Sequence, residues 1–242
     1  MPRPWQERTR LLLGPEGLER LAAARVLVAG LGGVGAAAAE MLARAGVGHL
    51  VLIDSDTVSE TNINRQLPAL HSTVGRLKAD VVAERLLDIN PELDLQLIKE
   101  FINEENIPAL LDSGYDYAVD AIDTLSPKIA LIQWCLRNGI GLVSSMGSGA
   151  KTDATQVRLA DISKTRMCPL AHMLRKRLHK YGITEGFLAV YSEERPVEGA
   201  MVQEEGRNKR SNVGTVSYLP AVFGCVCAQA AILAIAGKAE NR

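Results

Sequence analysis

Arg65 and Lys78 are the residues of this chain best suited to do chemistry. A planar guanidinium and a compact ammonium can converge on a polyphosphate and stabilise the charge that develops on a leaving pyrophosphate. Both follow a nucleotide-binding pattern. Gly30-Leu-Gly-Gly-Val-Gly35 is a glycine-rich turn. Asp54 lies about 20 residues beyond it, the spacing at which an acid takes a ribose hydroxyl. Gly30 permits the sharp reversal, Gly32 lets a phosphate approach the backbone, and Gly35 lets a helix pack on the preceding strand. Gly33 joins them as a nucleotide-contact candidate, as do Asn62, Asn64 and Gln66 in the string Asn62-Ile-Asn-Arg-Gln66. The turn implies a nucleotide. The basic residues behind it imply a phosphate tail under attack, not a nicotinamide ring accepting hydride.

Several elements must hold that constellation in place. Arg25 to Ala29 is a short apolar run that reads as a buried parallel strand. Ala36 to Ala45 is alanine-rich and helical, and Gly46 closes it. The start of that helix offers unpaired N–H groups to a phosphate. His49 to Ile53 is a second strand with Asp54 at its tip, and Ser55 to Ser72 is a polar loop long enough to be functional. A helix is expected from an N-cap at Ser72, with Val74, Leu77, Val81 and Leu86 on its apolar side and Lys78 in its first turns.

Downstream, Leu93 to Ile98 alternates like a strand, and a short helix capped by Asn103 runs through Leu111. Tyr117 to Ile122 is the fourth strand, Ser126-Pro127 opens a helix that Gly139 ends, and Ile140 to Ser145 is the fifth strand. This alternation predicts an α/β fold with a doubly wound, mostly parallel, Rossmann-like sheet. A C-terminal extension adds strands and helices. Ligands in such folds bind at the carboxyl ends of the strands, which gathers Gly30–Gly35, Asp54 and Asp123 on one rim. Asp123, followed by Thr124, either holds Mg²⁺ against nucleotide phosphates or caps the turn before Ser126. Asp120 falls inside the strand and reads as structural. The glycine-rich loop Ser145 to Lys151 sits on the same rim, as a cover for the reacting group or as a plain turn.

The strings Gly30–Gly35, Asp54, Thr61-Asn-Ile-Asn-Arg-Gln66, Lys78 and Asp120-Ala-Ile-Asp-Thr124 resemble the ThiF-type adenylating enzymes over nearly the whole chain. Within that family, Asn62 to Gly75, Asp161 to Thr165 and Cys168-Pro-Leu-Ala171 are similar to the branch that dehydrates threonylcarbamoyladenosine in tRNA. The resemblance implies ATP and Mg²⁺, with Arg65, Lys78, Asp123 and Arg8 as catalytic residues and Thr124 beside the nucleotide. It implies that a carboxylate of the modified tRNA is adenylated and then captured by its neighbouring carbamoyl group. It also implies a homodimer in which Arg8, with Arg10 as its rival, reaches the partner's ATP. Such a cyclisation needs no covalent relay. If a cysteine did take an acyl group, Cys168 before Pro169 would be the candidate, since a helix start lowers a thiol pKa. Rival readings are adenylation of a sulfur-carrier protein's C-terminal glycine, an NAD-dependent oxidoreductase, and a non-catalytic tRNA-binding module.

Composition frames these expectations. The 242 residues suit one adenylation domain: an N-terminal arm over 1–24, a nucleotide-binding core over 25–150 and a substrate-side extension over 151–242. Net charge is −1, so nothing global demands nucleic acid. Two local clusters suit RNA phosphates or are solvated faces: Lys164, Arg166, Arg175, Lys176 and Arg177, and then Arg207, Lys209 and Arg210. The first surrounds a helix expected over Pro169 to Tyr181, the second a polar, mobile loop from Tyr191 to Asn212. Four cysteines make no disulfide framework, and Cys225-Val-Cys227 has the wrong spacing for structural zinc. The first residues lack an apolar signal core, so a reducing cytoplasm is expected. A strand is expected at Gly214 to Tyr218, then a buried helix at Ala221 to Ala236 rather than a membrane span.

Overall fold

Valine and leucine fill successive positions of the first strand, β1 (Arg25–Ala29), and both of its faces are covered. Val26 and Val28 belong to one apolar cluster, Leu27 and Ala29 to another. That is the two-sided burial a parallel strand requires. The computed structural model describes residues 3–112, 114–203 and 211–238. After α1 (Glu7–Leu13) and α2 (Pro15–Ala23), β1 leads through the glycine turn to α3 (Gly35–Ala45) and β2 (His49–Ile53). Then come α4 (Lys78–Ile89), β3 (Asp94–Ile98), α5 (Ile107–Leu110), β4 (Tyr117–Asp120), α6 (Leu125–Arg137) and β5 (Gly141–Ser145). The remainder is β6 (Val157–Asp161), α7 (Pro169–Leu178), β7 (Leu188–Ser192), β8 (Met201–Gln203), β9 (Ser211–Val213) and α8 (Tyr218–Ile235).

The main sheet runs β3-β2-β1-β4-β5-β7-β6. All neighbours are parallel except β6 and β7. The order reverses between β1 and β4, the crevice where doubly wound folds take their ligands. Buried residues of α2, α3, α4 and α8 cover one face of the sheet, and those of α5, α6 and α7 cover the other. By length and composition alone α8 could cross a membrane. Here Leu219, Phe223, Cys227 and Ala231 on one side of it are fully buried in the core.

Four local expectations need correction. The helix expected from Ser72 starts at Lys78, with Leu77 as its N-cap. Ser72 lies instead in a short 3-10 turn over His71–Thr73. Gly75 follows at φ +86°, a left-handed conformation no helix accommodates. The chain then runs extended, with Val58 and Lys78 donating to the Arg76 and Asp56 carbonyls. The strand expected at Gly214–Tyr218 lies earlier, at Ser211–Val213, and Tyr218 already opens α8. Gly214 and Thr215 give their carbonyls to Ala150 and Asn64, not to a ladder. The expected loop from Tyr191 to Asn212 contains the end of β7, all of β8 and the start of β9, so it is not unstructured throughout. The strands expected of the C-terminal extension include β6 and β7, whose positions the sequence reading does not give. The apolar run Phe187 to Val190 is the signal for β7.

Below the rim, Asp120 and Lys128 form an ion pair of 2.7 Å with both side chains fully buried. Asp120 also accepts from Ser144 Oγ at 2.6 Å and from the Ile122 N–H at 3.1 Å. This fixes the start of the loop that carries Asp123. Removing one partner strands a charge in the core. Lys128→Met should therefore cost about 3–5 kcal/mol in urea unfolding, and adding Asp120→Asn should recover much of it. Equal stability of wild type and the single variant would refute this structural role.

Candidate active site

The glycine turn is held between two strand tips. The Gly30 N–H donates to the Ile53 carbonyl at 2.8 Å, and the Ala121 N–H donates to the Ala29 carbonyl at 2.8 Å. Gly30 sits at φ +87°, and a Cβ there would lie 2.8 Å from the Ala121 carbonyl oxygen. A Cβ on Gly35 would fall 1.7 Å from the Gly30 carbonyl oxygen, so α3 reaches the turn only because Gly35 lacks one. Gly33 is equally constrained, by Pro220 at 2.7 Å and the Arg65 carbonyl at 2.9 Å. Gly32 differs. The nearest atom to a Cβ there is Gln66 Nε2 at 3.6 Å, the end of a flexible side chain. No packing within the protein requires glycine at 32; its bare face is open for a ligand's phosphate.

Asp54 does more than its place in the sequence implied. Oδ2 accepts from the Leu31 N–H at 2.6 Å, and Oδ1 accepts from the Asp56 N–H at 2.8 Å. The carboxylate thereby fastens the turn to the tip of β2. Burial raises its pKa, and the Leu31 N–H offsets part of that rise. Each oxygen keeps a second acceptor position, which leaves room for a hydroxyl donor.

Two cationic residues lie near this turn: Lys78 acts on the Asp54 carboxylate, and the backbone of Arg65 stands against Gly33. Lys78 opens α4, is 6% exposed, and reaches Asp56 at 2.9 Å. Its partner is exposed, so the ammonium is held without being locked away. Arg65 donates to the Thr61 carbonyl at 2.9 Å and to Asn64 Oδ1 at 2.8 Å. Asn62 is occupied locally, accepting from the Ser59 N–H at 3.1 Å. Gln66 lies beneath Gly32 with its buried Oε1 unpaired. Asp123 is exposed just past β4, and Thr124 holds the N-cap position of α6 without a side-chain capping bond. Among the described residues no three His, Cys, Asp or Glu side chains cluster as a metal cage. That donor set fits Mg²⁺ only as a cation shared with phosphate oxygens, which needs one or two carboxylates.

Other expected residues lie elsewhere. Arg8 is exposed on α1 and Arg10 is tied to Glu7 at 2.8 Å. The neighbouring Gln6 packs at Gly46, the far end of α3 from the glycine turn. The 11 residues of α3 put about 16 Å between those ends. Arg8 is therefore not part of its own chain's rim. Around α7, Lys164, Lys176 and Arg177 are exposed, Arg166 is paired with Glu193, and Arg175 donates to Thr165. Arg207, Lys209 and Arg210 lie outside the described residues. Cys168 is the N-cap of α7 and is 5% exposed. Cys225 and Cys227 point to different sides of α8, one exposed and one buried.

Sequence reasoning missed Lys151. It is 3% exposed, its Nζ donates to the Ser192 carbonyl at 3.2 Å, and burial lowers its pKa. The contrast between Gly32 and Gly35 gives a test. Gly35→Ala should cost about 3 kcal/mol or more in urea unfolding. Gly32→Ala should change stability by no more than about 0.5 kcal/mol while weakening nucleotide binding at least about tenfold. Similar stability losses in both variants would contradict the ligand-facing role of Gly32.

Comparison with known proteins agrees with this geometry. The chain matches the ThiF family over residues 6–242. It is 46% identical over 205 residues to a tRNA threonylcarbamoyladenosine dehydratase of Bacillus subtilis, covering 85% of this chain and 80% of that protein. Identity to the enzyme of the same name from Escherichia coli is 39%, covering 98% of this chain and 97% of the other. A crystal structure of that Escherichia coli dehydratase in complex with ATP superposes with a TM-score of 0.88 at 38% identity, covering 96% and 93% of the two chains. The chain belongs to the ThiF family, alongside its tRNA threonylcarbamoyladenosine dehydratases.

Proposed function

We propose that this protein is an ATP-dependent enzyme that cyclises N6-threonylcarbamoyladenosine in tRNA by way of a carboxyl-adenylate. The carrying observation is the bare face of Gly32, flanked by Arg65, Lys78 and Asp54, in a chain with this family membership. The turn receives the phosphates and Asp54 receives the ribose. The threonyl carboxylate attacks the α-phosphorus, forming a P–O bond as pyrophosphate leaves. Arg65 and Lys78 stabilise the charge on the departing group. The carbamoyl group, already on the same nucleoside, then attacks the activated carbonyl. The ring closes, AMP leaves, and a proton is released. ATP has formally taken up the lost water. Proximity supplies much of the second step. Mg²⁺ bound with ATP would neutralise phosphate charge, and Asp123 would be the carboxylate that shares it.

The separation of Arg8 from its own glycine turn supports a homodimer with shared sites. The adjoining Leu11 and Leu12 are 73% and 81% exposed on α1, as an unmet contact face would be. Lys164, Lys176 and Arg177 supply phosphate contacts for tRNA. A cytoplasmic setting follows from that substrate. A nicotinamide cofactor would leave Arg65 and Lys78 without a task.

Mass spectrometry of tRNA nucleosides, before and after treatment with protein and ATP, tests the reading. It predicts ATP-dependent loss of one water from threonylcarbamoyladenosine. Turnover driven instead by a carrier protein's C-terminal glycine would replace this function with the rival one. Arg65→Ala should lower turnover at least about 100-fold with an unchanged melting temperature. Retained turnover would remove Arg65 from the mechanism. Arg8→Ala and Arg65→Ala chains, each inactive alone, should regain about a quarter of wild-type activity when mixed and reassembled, because half of the sites in mixed dimers are intact. No recovery would contradict sharing across the dimer.

A further inference from the structure

The phosphate side and the substrate side of the rim meet at one side chain. Asn64 donates from Nδ2 to the Thr215 carbonyl at 3.0 Å and accepts at Oδ1 from Arg65 at 2.8 Å. The protein engages both ends of its amide, so Asn64 is a link rather than the nucleotide contact its place in the sequence implied.

Thr215 belongs to a stretch that wraps the glycine-rich loop after β5. The Ala150 N–H donates to the Gly214 carbonyl, the Gly214 N–H to the Ala200 carbonyl, and the Val197 N–H to the Ala150 carbonyl, each at 2.8 Å. The Glu194 carboxylate accepts from the Thr152 and Asp153 N–H groups at 2.9 and 2.8 Å. The Tyr218 hydroxyl donates to the Thr152 carbonyl at 2.6 Å. Val213 closes on Gly149, where a Cβ would come within 2.6 Å of Val213 Cγ1. Ala150 is held at φ 56°, a left-handed conformation that a non-glycine residue keeps only when its surroundings impose it. The wrap is thus a knit unit. It also encloses the region of Lys151, and Asn64 ties it to Arg65.

We propose that Asn64 couples docking of this wrap to the orientation of Arg65, so that the phosphate site is set when the substrate side is closed. This rests on the ATP reading above. Coupling between two sites is reciprocal. ATP in the phosphate site must therefore tighten the wrap, even with no tRNA present. Asn64 is then a positioning residue: its loss should lower kcat more than it raises the KM for ATP.

Amide hydrogen exchange at Ala150, Val197 and Gly214, with and without ATP, reads this directly. In the wild type, ATP should slow exchange at these three amides about tenfold. Asn64→Leu removes both bonds without adding charge. Asn64→Asp keeps the acceptor for Arg65 but loses the donor to Thr215. Both variants should bind ATP within about threefold of wild type and lose the ATP-induced slowing, with kcat for AMP release down about tenfold. Equal slowing in wild type and variants would overturn the coupling, as would a wild type that binds ATP without any slowing. Loss of ATP binding in Asn64→Leu at an unchanged melting temperature would make Asn64 a ligand contact and likewise overturn it. A wild type that binds no ATP at all would refute the functional reading itself. One that binds ATP and shows the slowing, yet never alters tRNA, would leave the coupling standing and the substrate assignment refuted.

Discussion

The turn at Gly30 is pinned from both sides, and the rest of the site depends on it. The Ile53 carbonyl at the tip of β2 holds the Gly30 N–H, and Asp54 holds the next N–H, that of Leu31. On the other side, the start of the loop after β4 is bonded to the end of β1. These contacts exist because the strand order reverses between β1 and β4. They leave no room for side chains at Gly30 and Gly35, Pro220 and the Arg65 carbonyl close off Gly33, and Gly32 alone of the four stays open. The geometry that makes the turn rigid is the geometry that makes it receptive.

Charge follows the same logic. Each buried or half-buried cation near the rim is held by protein acceptors before any ligand arrives. Lys128 belongs to Asp120 and serves the scaffold, with neither group reaching solvent. Lys78 is held by an exposed aspartate, and Arg65 by a backbone carbonyl and an amide. Those are weaker holds that position a cation and still let a phosphate compete. A preorganised donor costs little to align at the moment of reaction, and this is what electrostatic catalysis exploits.

Much of this was legible in the sequence. The elements β1, α3 and β2 were read almost to the residue, because apolar runs ended by Gly30 and Gly46 leave few alternatives. The start of α4 was misread because Val74 and Leu77 extend its apolar spacing backwards, while the left-handed Gly75 forbids the helix there. The stretch at Gly214 looked like a strand, yet its hydrogen bonds go to Ala150 and Ala200, partners far away in the chain. The same limit hid what Asp54 and Asn64 do. Residue type suggested a ribose contact and a nucleotide contact, but their bonds to Leu31 and Thr215 are decided by tertiary placement. Lys151 is silent in the sequence because a lone lysine after glycines carries no signal until burial reveals it.

The proposed chemistry begins with an acid oxygen attacking the α-phosphorus of ATP in this pocket. Isotope exchange between pyrophosphate and ATP, driven by threonylcarbamoyladenosine-containing tRNA, isolates that step. Label should enter ATP only when the modified tRNA is present, and AMP should be the nucleotide released. Release of ADP, or no exchange with any modified tRNA while ATP is bound, would rule out adenylation here.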